Sequence, residues 1–268
     1  MPSSAQELLY EGKAKRVYRT ADPQVYLCQY KDDATAFNAQ KRGFIPGKGE
    51  VNCTVSSRVF AYLAQQGIRN HFLAQTGPQE MQVRALRILP LEVVVRNRAA
   101  GSLCQRLGLE QGLPIEPPLV EFYYKNDALG DPLVTPDHIR LLHLATPEQV
   151  EKLRSLALAV NTHLRDFWRR CRLELVDFKL EFGLDEQGQI WLADEISPDT
   201  CRLWDLEGAE PRVLDKDLFR FDLGDPAAGY QEVLQRVLQA TDSNLPSPSG
   251  RGVGGEGVPS GKEAGGEG

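Results

Sequence analysis

The chain is poor in histidine and cysteine and has no long apolar run, and each shortage removes a class of function. Its four histidines, His71, His138, His143 and His163, include no pair at metal-ligand spacing, so a histidine-metal centre is not expected. The five cysteines, Cys28, Cys53, Cys104, Cys171 and Cys201, are scattered and form no C-x-x-C pair. That fits reduced thiols in a cytoplasmic protein and argues against a disulfide frame or a zinc site. No stretch approaches the ~20 apolar residues that cross a bilayer, and the N-terminus reads as neither a signal nor a transit peptide, so no membrane partner is expected. No G-x-x-x-x-G-K-[ST] is present, and the glycine–lysine loop at Glu11–Lys15 does not match G-x-G-x-x-G. A net charge of −6 argues against a nucleic-acid binder that works by neutralising phosphates, yet leaves room for a local cationic pocket for a small anionic substrate. The bulk composition is that of a globular protein: 268 residues, 41% hydrophobic and 25% charged, enough for one large domain or two lobes around a cleft.

The most informative stretch is Leu173–Asp205. Val176, Phe178, Leu180 and Phe182 alternate with Asp177, Lys179 and Glu181, and a strand sends successive side chains to opposite faces. One face is therefore apolar and the other holds two carboxylates around an ammonium. Asp185–Gly188 reads as a tight turn and Gln189–Ile196 as a returning strand. If the turn leaves two or four residues outside the ladder, Lys179 lies opposite Asp194, and Asp194 shares the face of Glu181. A three-residue loop with a bulge would put Asp194 on the other face. Two carboxylates converging beside a lysine suit a hard cation with phosphate oxygens. A hairpin with a merely solvated polar face is the competing reading, but it leaves the polar loop Ser197–Arg202 unexplained.

Upstream, Glu7–Tyr10, Arg16–Arg19 and Gln24–Tyr30 read as three antiparallel strands, the first two joined through Glu11-Gly12-Lys13-Ala14-Lys15. That loop lets a backbone approach phosphate while two ammonium groups neutralise it. Asp32–Asn52 is polar and reads as an irregular mobile loop, and Val51–Gln66 as a core-facing helix. His71–Gln75 and Met81–Ile88 are strand candidates, with Leu89-Pro90 as a hinge into a strand Leu91–Arg96. In that strand Glu92, Val94 and Arg96 share a face. Ser102 stands as the N-cap of a short helix Leu103–Leu107, and with Arg96 and Arg98 it makes a plausible seat for a phosphate monoester. Leu113–Leu133 reads as an extended segment and turn. Glu148–Cys171 carries one apolar stripe and is the clearest helix. Asp215–Phe221 and Ala227–Ala240 form a helical finish. From Ser243 onward 16 of 26 residues are Gly, Pro or Ser, as expected of a disordered tail.

Four blocks then carry a resemblance: GKAK at Gly12–Lys15, LPLEVVVRNRAAGS at Leu89–Ser102, LVDFKLEFG at Leu175–Gly183 and DEISPDTCRLWD at Asp194–Asp205. From about Leu8 to Leu238 the chain resembles the SAICAR synthetase family. The resemblance implies an α+β fold of two lobes around an ATP cleft, related to the kinase and ATP-grasp architectures. It implies an N-terminal lobe over 1–89, a C-terminal substrate and metal lobe over 90–242, and a tail over 243–268. It also implies a carbon–nitrogen ligase of purine biosynthesis. ATP phosphorylates the carboxylate of carboxyaminoimidazole ribonucleotide, and the amine of L-aspartate displaces phosphate from the acyl phosphate. Glu181 and Asp194 are implied to hold Mg²⁺, with Lys179 neutralising charge beside them. Gly12, Lys13, Ala14 and Lys15 are implied to steady the ATP phosphates, and Ile88 and Leu89 to line the adenine. Arg96, Ser102 and Arg202 would grip the ribonucleotide phosphate, with Lys125 and Asp199 on the substrate side. Lys48 and Asn52 are further candidates near the acceptor. A homo-oligomer is compatible with the sequence. A hydroxyl-directed phosphotransferase would need an H-R-D-type loop, which is missing. A nucleotide-binding module without activity would have lost the lysines or carboxylates that are present here.

Overall fold

The alternating segment found in the sequence is the middle of the larger sheet. The structure, a computed structural model, describes residues 7–36, 40–205, 207–208 and 211–242. The expected tail lies outside them. The N-terminal part holds β1 (Leu8–Glu11), β2 (Lys15–Arg19), β3 (Val25–Tyr30), β4 (Asp33–Ala36), β5 (Lys41–Phe44), α1 (Lys48–Gln65), β6 (Phe72–Gly77) and β7 (Glu80–Arg84). The chain then enters β8 (Arg87–Arg98), α2 (Ser102–Leu107), β9 (Pro114–Tyr124), β10 (Leu133–Val134), α3 (Pro136–Leu141) and α4 (Pro147–Arg170). It ends with β11 (Glu174–Leu184), β12 (Ile190–Ala193), β13 (Cys201–Asp205), β14 (Arg212–Val213), α5 (Asp217–Phe221) and α6 (Pro226–Asp242).

A five-stranded sheet runs β1-β2-β3-β7-β6, and a seven-stranded sheet runs β10-β9-β8-β11-β13-β14 with β12 also paired to β11. The sheets are antiparallel throughout, which gives the α+β class its form here. The apolar stripe of α4 (Val150, Leu153, Ala157, Val160, Leu164) packs with Leu91, Val93, Val95, Phe178, Leu180 and Phe182 in one core. Thr146 caps α4 by accepting the Gln149 N–H while the Gln149 side chain accepts the Thr146 N–H, so the start of this helix is fixed locally. Glu92, Val94 and Arg96 then face away from the core, toward the cleft.

Five expectations need correction. The described residues of Asp32–Asn52 are not irregular: β4 and β5 pair antiparallel, and α1 starts at Lys48, whose head is buried against Asp199. Pro90 is not a hinge between strands but lies inside β8, where a register shift between Glu181/Glu92 and Gly183/Ile88 accommodates a residue that cannot donate to the ladder. The passage between sheets falls earlier, between β7 and β8. Pro114–Tyr124, read as merely extended, is an eleven-residue strand. Val176 does not join the main core; a register shift between Leu175 and Asp177 turns it toward Ala100 and Trp204, and Leu175 takes the core position. Finally, Ser102 is not the cap of α2 but its first residue; Gly101, at φ 54°, stands before it. An added Cβ at Gly101 would sit 2.8 Å from Nη2 of Arg202, so the glycine leaves room for the guanidinium.

Candidate active site

β12 and β13 occupy successive stretches of one edge of β11, and between them the chain leaves the sheet at Asp194 and returns at Cys201. The detour creates the site. β12 pairs Glu181 with Ala193 and Leu184 with Ile190, so five residues, Asp185 to Gln189, lie outside the ladder. The count is odd, and the register that the sequence argument required for Asp194 is not the one formed: pleating alone would set Asp194 opposite Leu180 on the core side. Asp194 reaches the polar face by another route. Its φ is +62°, the left-handed conformation that aspartate tolerates better than most residues, and the turn swings the carboxylate back across the sheet. Lys179 Nζ then donates to Asp194 Oδ2 at 3.0 Å and to Glu181 Oε1 at 2.6 Å.

Lys15, at the start of β2, crosses the cleft to pair with Asp194 at 2.5 Å and Glu195 at 3.3 Å. Lys125 pairs with the second oxygen of Glu181, and Lys13 with Asp127 at 2.7 Å. Gly12 and Ala14 form the tight connection behind these lysines, with Gly12 N–H donating to the Lys15 carbonyl and the Lys31 N–H to that of Ala14. Burial pulls the Lys15 ammonium toward neutrality, but Asp194 and Glu195 outweigh it and hold its pKa well above the usual lysine value. The same balance holds Lys179 high through Asp194, Glu181 and Glu92. Burial would raise Asp194, yet Lys15, Lys179 and Lys125 keep it well below the ordinary carboxylate range. Glu92, directly across from Glu181, is raised by burial against the pull of Lys179.

Farther along β11 the cations change to arginine. Arg96 on β8, Asp177 on β11 and Arg202 on β13 are direct cross-strand partners. Both guanidinium groups donate to Asp177 Oδ2, at 2.8 and 2.5 Å. Arg96 also donates to Glu121 Oε2 at 2.7 Å and lies 3.5 Å from Ser102 Oγ, so Arg96, Ser102 and Arg202 do come together. Arg202 further binds Asp217, which binds Arg220 at 2.6 Å, and Arg106 joins Glu121 at 2.8 Å. Four arginines thus share three carboxylates.

The carboxylate of Asp199 is buried and held by Tyr230 at 2.5 Å, Lys48 at 3.0 Å and Lys216 at 3.6 Å. Burial opposes the charge on Asp199, but Lys216 and Lys48 depress its pKa strongly. The side chain of Leu89 points into the core, whereas Ile88 is exposed. Asn52 lies buried on α1 with neither amide atom hydrogen-bonded. Sequence reasoning missed Glu92, Glu195, Asp177, Glu121 and Asp217 as members of the site. For Asp177 the signal was present, since it alternates with Lys179 and Glu181.

Fold and site together define a two-lobed α+β enzyme whose cleft gathers lysine and arginine against carboxylates to handle phosphorylated or carboxylated small molecules. Comparison with known proteins gives the particular family. The SAICAR synthetase family model matches residues 8–237. A phosphoribosylaminoimidazole-succinocarboxamide synthase of Synechococcus sp. (strain JA-3-3Ab) is 92% identical over 251 residues, covering 94% of this chain and 98% of its own. The crystal structure of the Ehrlichia chaffeensis synthase is 43% identical, with a TM-score of 0.83 over 86% of this chain and 98% of that one. A SAICAR synthetase in complex with ADP is 45% identical, with a TM-score of 0.82 over 86% and 97%. The chain belongs to the SAICAR synthetase family.

Proposed function

We propose that this chain joins L-aspartate to the carboxylate of carboxyaminoimidazole ribonucleotide at the expense of ATP, giving SAICAR, ADP and phosphate. The single observation that carries the reading is the cluster of Lys15 and Asp194 around Lys179 and Glu181 of β11, the strand that also supplies Asp177 of the Arg96–Asp177–Arg202 row. In the first step the substrate carboxylate oxygen attacks the γ-phosphorus of ATP and ADP departs; in the second the aspartate nitrogen attacks the acyl carbon, phosphate departs and the amine loses a proton. Lys15 and Lys179 lie where phosphate charge would gather, and fixed ammonium groups in a partly buried cleft stabilise such charge without reorganising. Lys13 closes the nucleotide side through its reach to Asp127. The exposed Ile88 side chain and the backbone beside Leu89 would lie against the adenine. Arg96, Ser102 and Arg202 would hold the ribonucleotide phosphate, and Lys125 would stand at the acceptor carboxylate. The segment before β8 then supplies Lys13 and Lys15 to the nucleotide, and the chain from β8 to 242 supplies the substrate and metal groups.

The donor set fits magnesium. Glu181 and Asp194 offer hard oxygen donors, and among the described residues no group of three or more His, Cys, Asp or Glu is arranged to hold a metal ion. A cation held by these two carboxylates would fill its remaining positions with phosphate oxygens and water, as Mg²⁺ prefers. When bound, it would shield phosphate charge. All five cysteines are free thiols, and no helix among the described residues is long and apolar enough to cross a membrane, which supports the cytoplasm as its place of work. The test is ADP release by the purified chain with ATP and Mg²⁺. Release should require both the carboxylated ribonucleotide and L-aspartate; release at full rate with either omitted would overturn the ligase reading.

A further inference from the structure

Arg202 is aimed by its neighbours. Its Nη1 donates to Asp177 Oδ2 and its Nε to Asp217 Oδ2 at 2.7 Å, whereas Nη2 makes a longer contact of 3.5 Å with Asp217 Oδ1. Nη2 lies where a Cβ on Gly101 would come within 2.8 Å of it, at the start of α2 and one residue from Ser102. Arg96 Nη2 is 3.5 Å from Ser102 Oγ, so both arginines present this nitrogen to the same place. The carboxylates thus fix the Arg202 fork from two sides and leave Nη2 nearest the proposed phosphate. Asp217 also holds Arg220 at 2.6 Å and begins α5, a helix of five residues. So short a helix is a weak frame by itself, and the aim of Asp217 depends on what ties its backbone.

Asp215 provides the tie. It is fully buried between β14 and α5; Oδ2 accepts the Leu203 N–H at 2.7 Å and Oδ1 accepts the Asp217 N–H at 2.8 Å. One carboxylate therefore joins the residue after Arg202 to the residue that holds Arg202. Two main-chain bonds close the same frame: the Leu214 N–H donates to the Leu203 carbonyl at 3.0 Å, and the Lys216 N–H to the Pro198 carbonyl at 3.1 Å. Neither oxygen of Asp215 is in an ion pair among the described residues. Burial and the nearby Asp217 charge, opposed by Arg202, raise its pKa to about 7. A carboxylate is costly to keep in such a place. What it offers in return is a pair of acceptors on one short, rigid plane, which asparagine lacks because its amide nitrogen is a donor.

We propose that Asp215 is a positioning residue: by clasping the N–H groups of Leu203 and Asp217 it sets the Asp217 carboxylate against Arg202 and so keeps the guanidinium turned toward Gly101 and Ser102. This rests on the reading of the Arg96–Asp177–Arg202 row as the seat of the ribonucleotide phosphate. The probes are carboxyaminoimidazole ribonucleotide and, separately, ADP with Mg²⁺, each titrated by calorimetry into the full chain. Asp215→Asn keeps the shape but turns one acceptor into a donor. It should weaken the ribonucleotide about three- to tenfold, the range of one hydrogen bond, and leave ADP within about twofold. In an Asp217→Ala background Asp215→Asn should cost the ribonucleotide nothing further, because its effect passes through Asp217.

A purely structural aspartate predicts otherwise: a lower melting temperature with ribonucleotide affinity unchanged, equal losses of ribonucleotide and ADP, or an additive loss in the double variant. Any of these overturns the role. Should Asp215→Asn fail to fold, Asp215→Ser takes its place and must show the same split, since its hydroxyl can still accept the Asp217 N–H but is too short to hold Leu203 as well. Unchanged ribonucleotide binding in Arg202→Lys overturns the reading of the arginine row itself, and Asp215 with it; unchanged binding in Asp215→Asn alone overturns only the inference about Asp215.

Discussion

The two ends of the polar face of β11 use different cations for different reasons. At one end Lys179 and Glu181 meet Lys15, Lys125, Glu92 and Asp194; at the other Asp177 lies between Arg96 and Arg202. The ends are four residues apart on one strand, about 13 Å at the usual rise. Lys15, Lys179 and Lys125 are 13%, 24% and 39% exposed at the side chain and come from separate elements, whereas Arg96 and Arg202, 6% and 12% exposed, are locked in one cross-strand row. An ammonium is a compact point charge that can serve several oxygens without imposing a plane on them. A guanidinium is a planar fork that fixes a group which must stay still. In the proposed reading the lysine end serves the transferring phosphoryl group, and the arginine end the phosphate monoester that anchors the substrate.

The largest effect should come from breaking the lysine end. Glu181→Ala or Asp194→Ala should lower kcat by about a thousandfold or more, the scale on which electrostatic stabilisers of charge act, with ribonucleotide affinity kept within about twofold. Steady-state ADP release and ribonucleotide titration check both halves of that statement. A smaller effect should come from Arg202→Lys, which keeps the charge opposite Asp177 and Asp217 but loses the fork. KM for the ribonucleotide should rise about tenfold, roughly the worth of one charge-assisted hydrogen bond, while KM for ATP stays near the wild-type value. Arg202→Ala should add a stability loss of about 2 kcal/mol, the scale of charge-assisted hydrogen bonds, since Asp177 and Asp217 each lose one arginine while keeping Arg96 and Arg220. Thermal melts separate this from binding.

Asp205 provides the smallest effect and a control outside both ends. It is held by Arg212 at 2.8 Å and Arg236 at 2.6 Å. Burial opposes its charge, but these hydrogen bonds and that of the Glu207 N–H lower its pKa to about 2. A carboxyl lowered on folding contributes stability that is present above its unfolded pKa, near 4, and lost as pH falls through about 2. Wild type should therefore lose stability over that window more steeply than Asp205→Asn, and the variant should keep wild-type kcat at neutral pH. A low-pH melting series with an activity assay at neutral pH tests the pair.

Much of the site was legible in the sequence where the pattern is local. The alternation from Phe178 to Phe182 and the stripe of α4 reflect fixed strand and helix periods, and both elements formed as read. Lys15, Lys179, Glu181 and Asp194 converge, yet the reason given for Asp194 failed: the register is off by one, and a left-handed turn restores what the pleat would have lost. Nothing in the sequence near residue 194 shows that turn, because the segment bonded to β12 just before it, residues 69–71, lies more than a hundred positions upstream. The β4–β5 hairpin was hidden by polar residues, and the burial of Lys48 depends on Asp199, a partner brought close only by tertiary folding. The Arg96–Asp177–Arg202 row needed strands β8, β11 and β13 to be neighbours, a fact of topology and not of spacing.

The division of labour along β11 is tested most directly by a crossed titration. ADP with Mg²⁺ and the carboxylated ribonucleotide are each titrated by calorimetry into Lys15→Ala and Arg202→Lys. Lys15→Ala should lose ADP affinity about tenfold or more and keep the ribonucleotide, while Arg202→Lys should do the reverse. If both ligands weaken together in either variant, the two ends do not hold separate groups, and the account of the site is wrong.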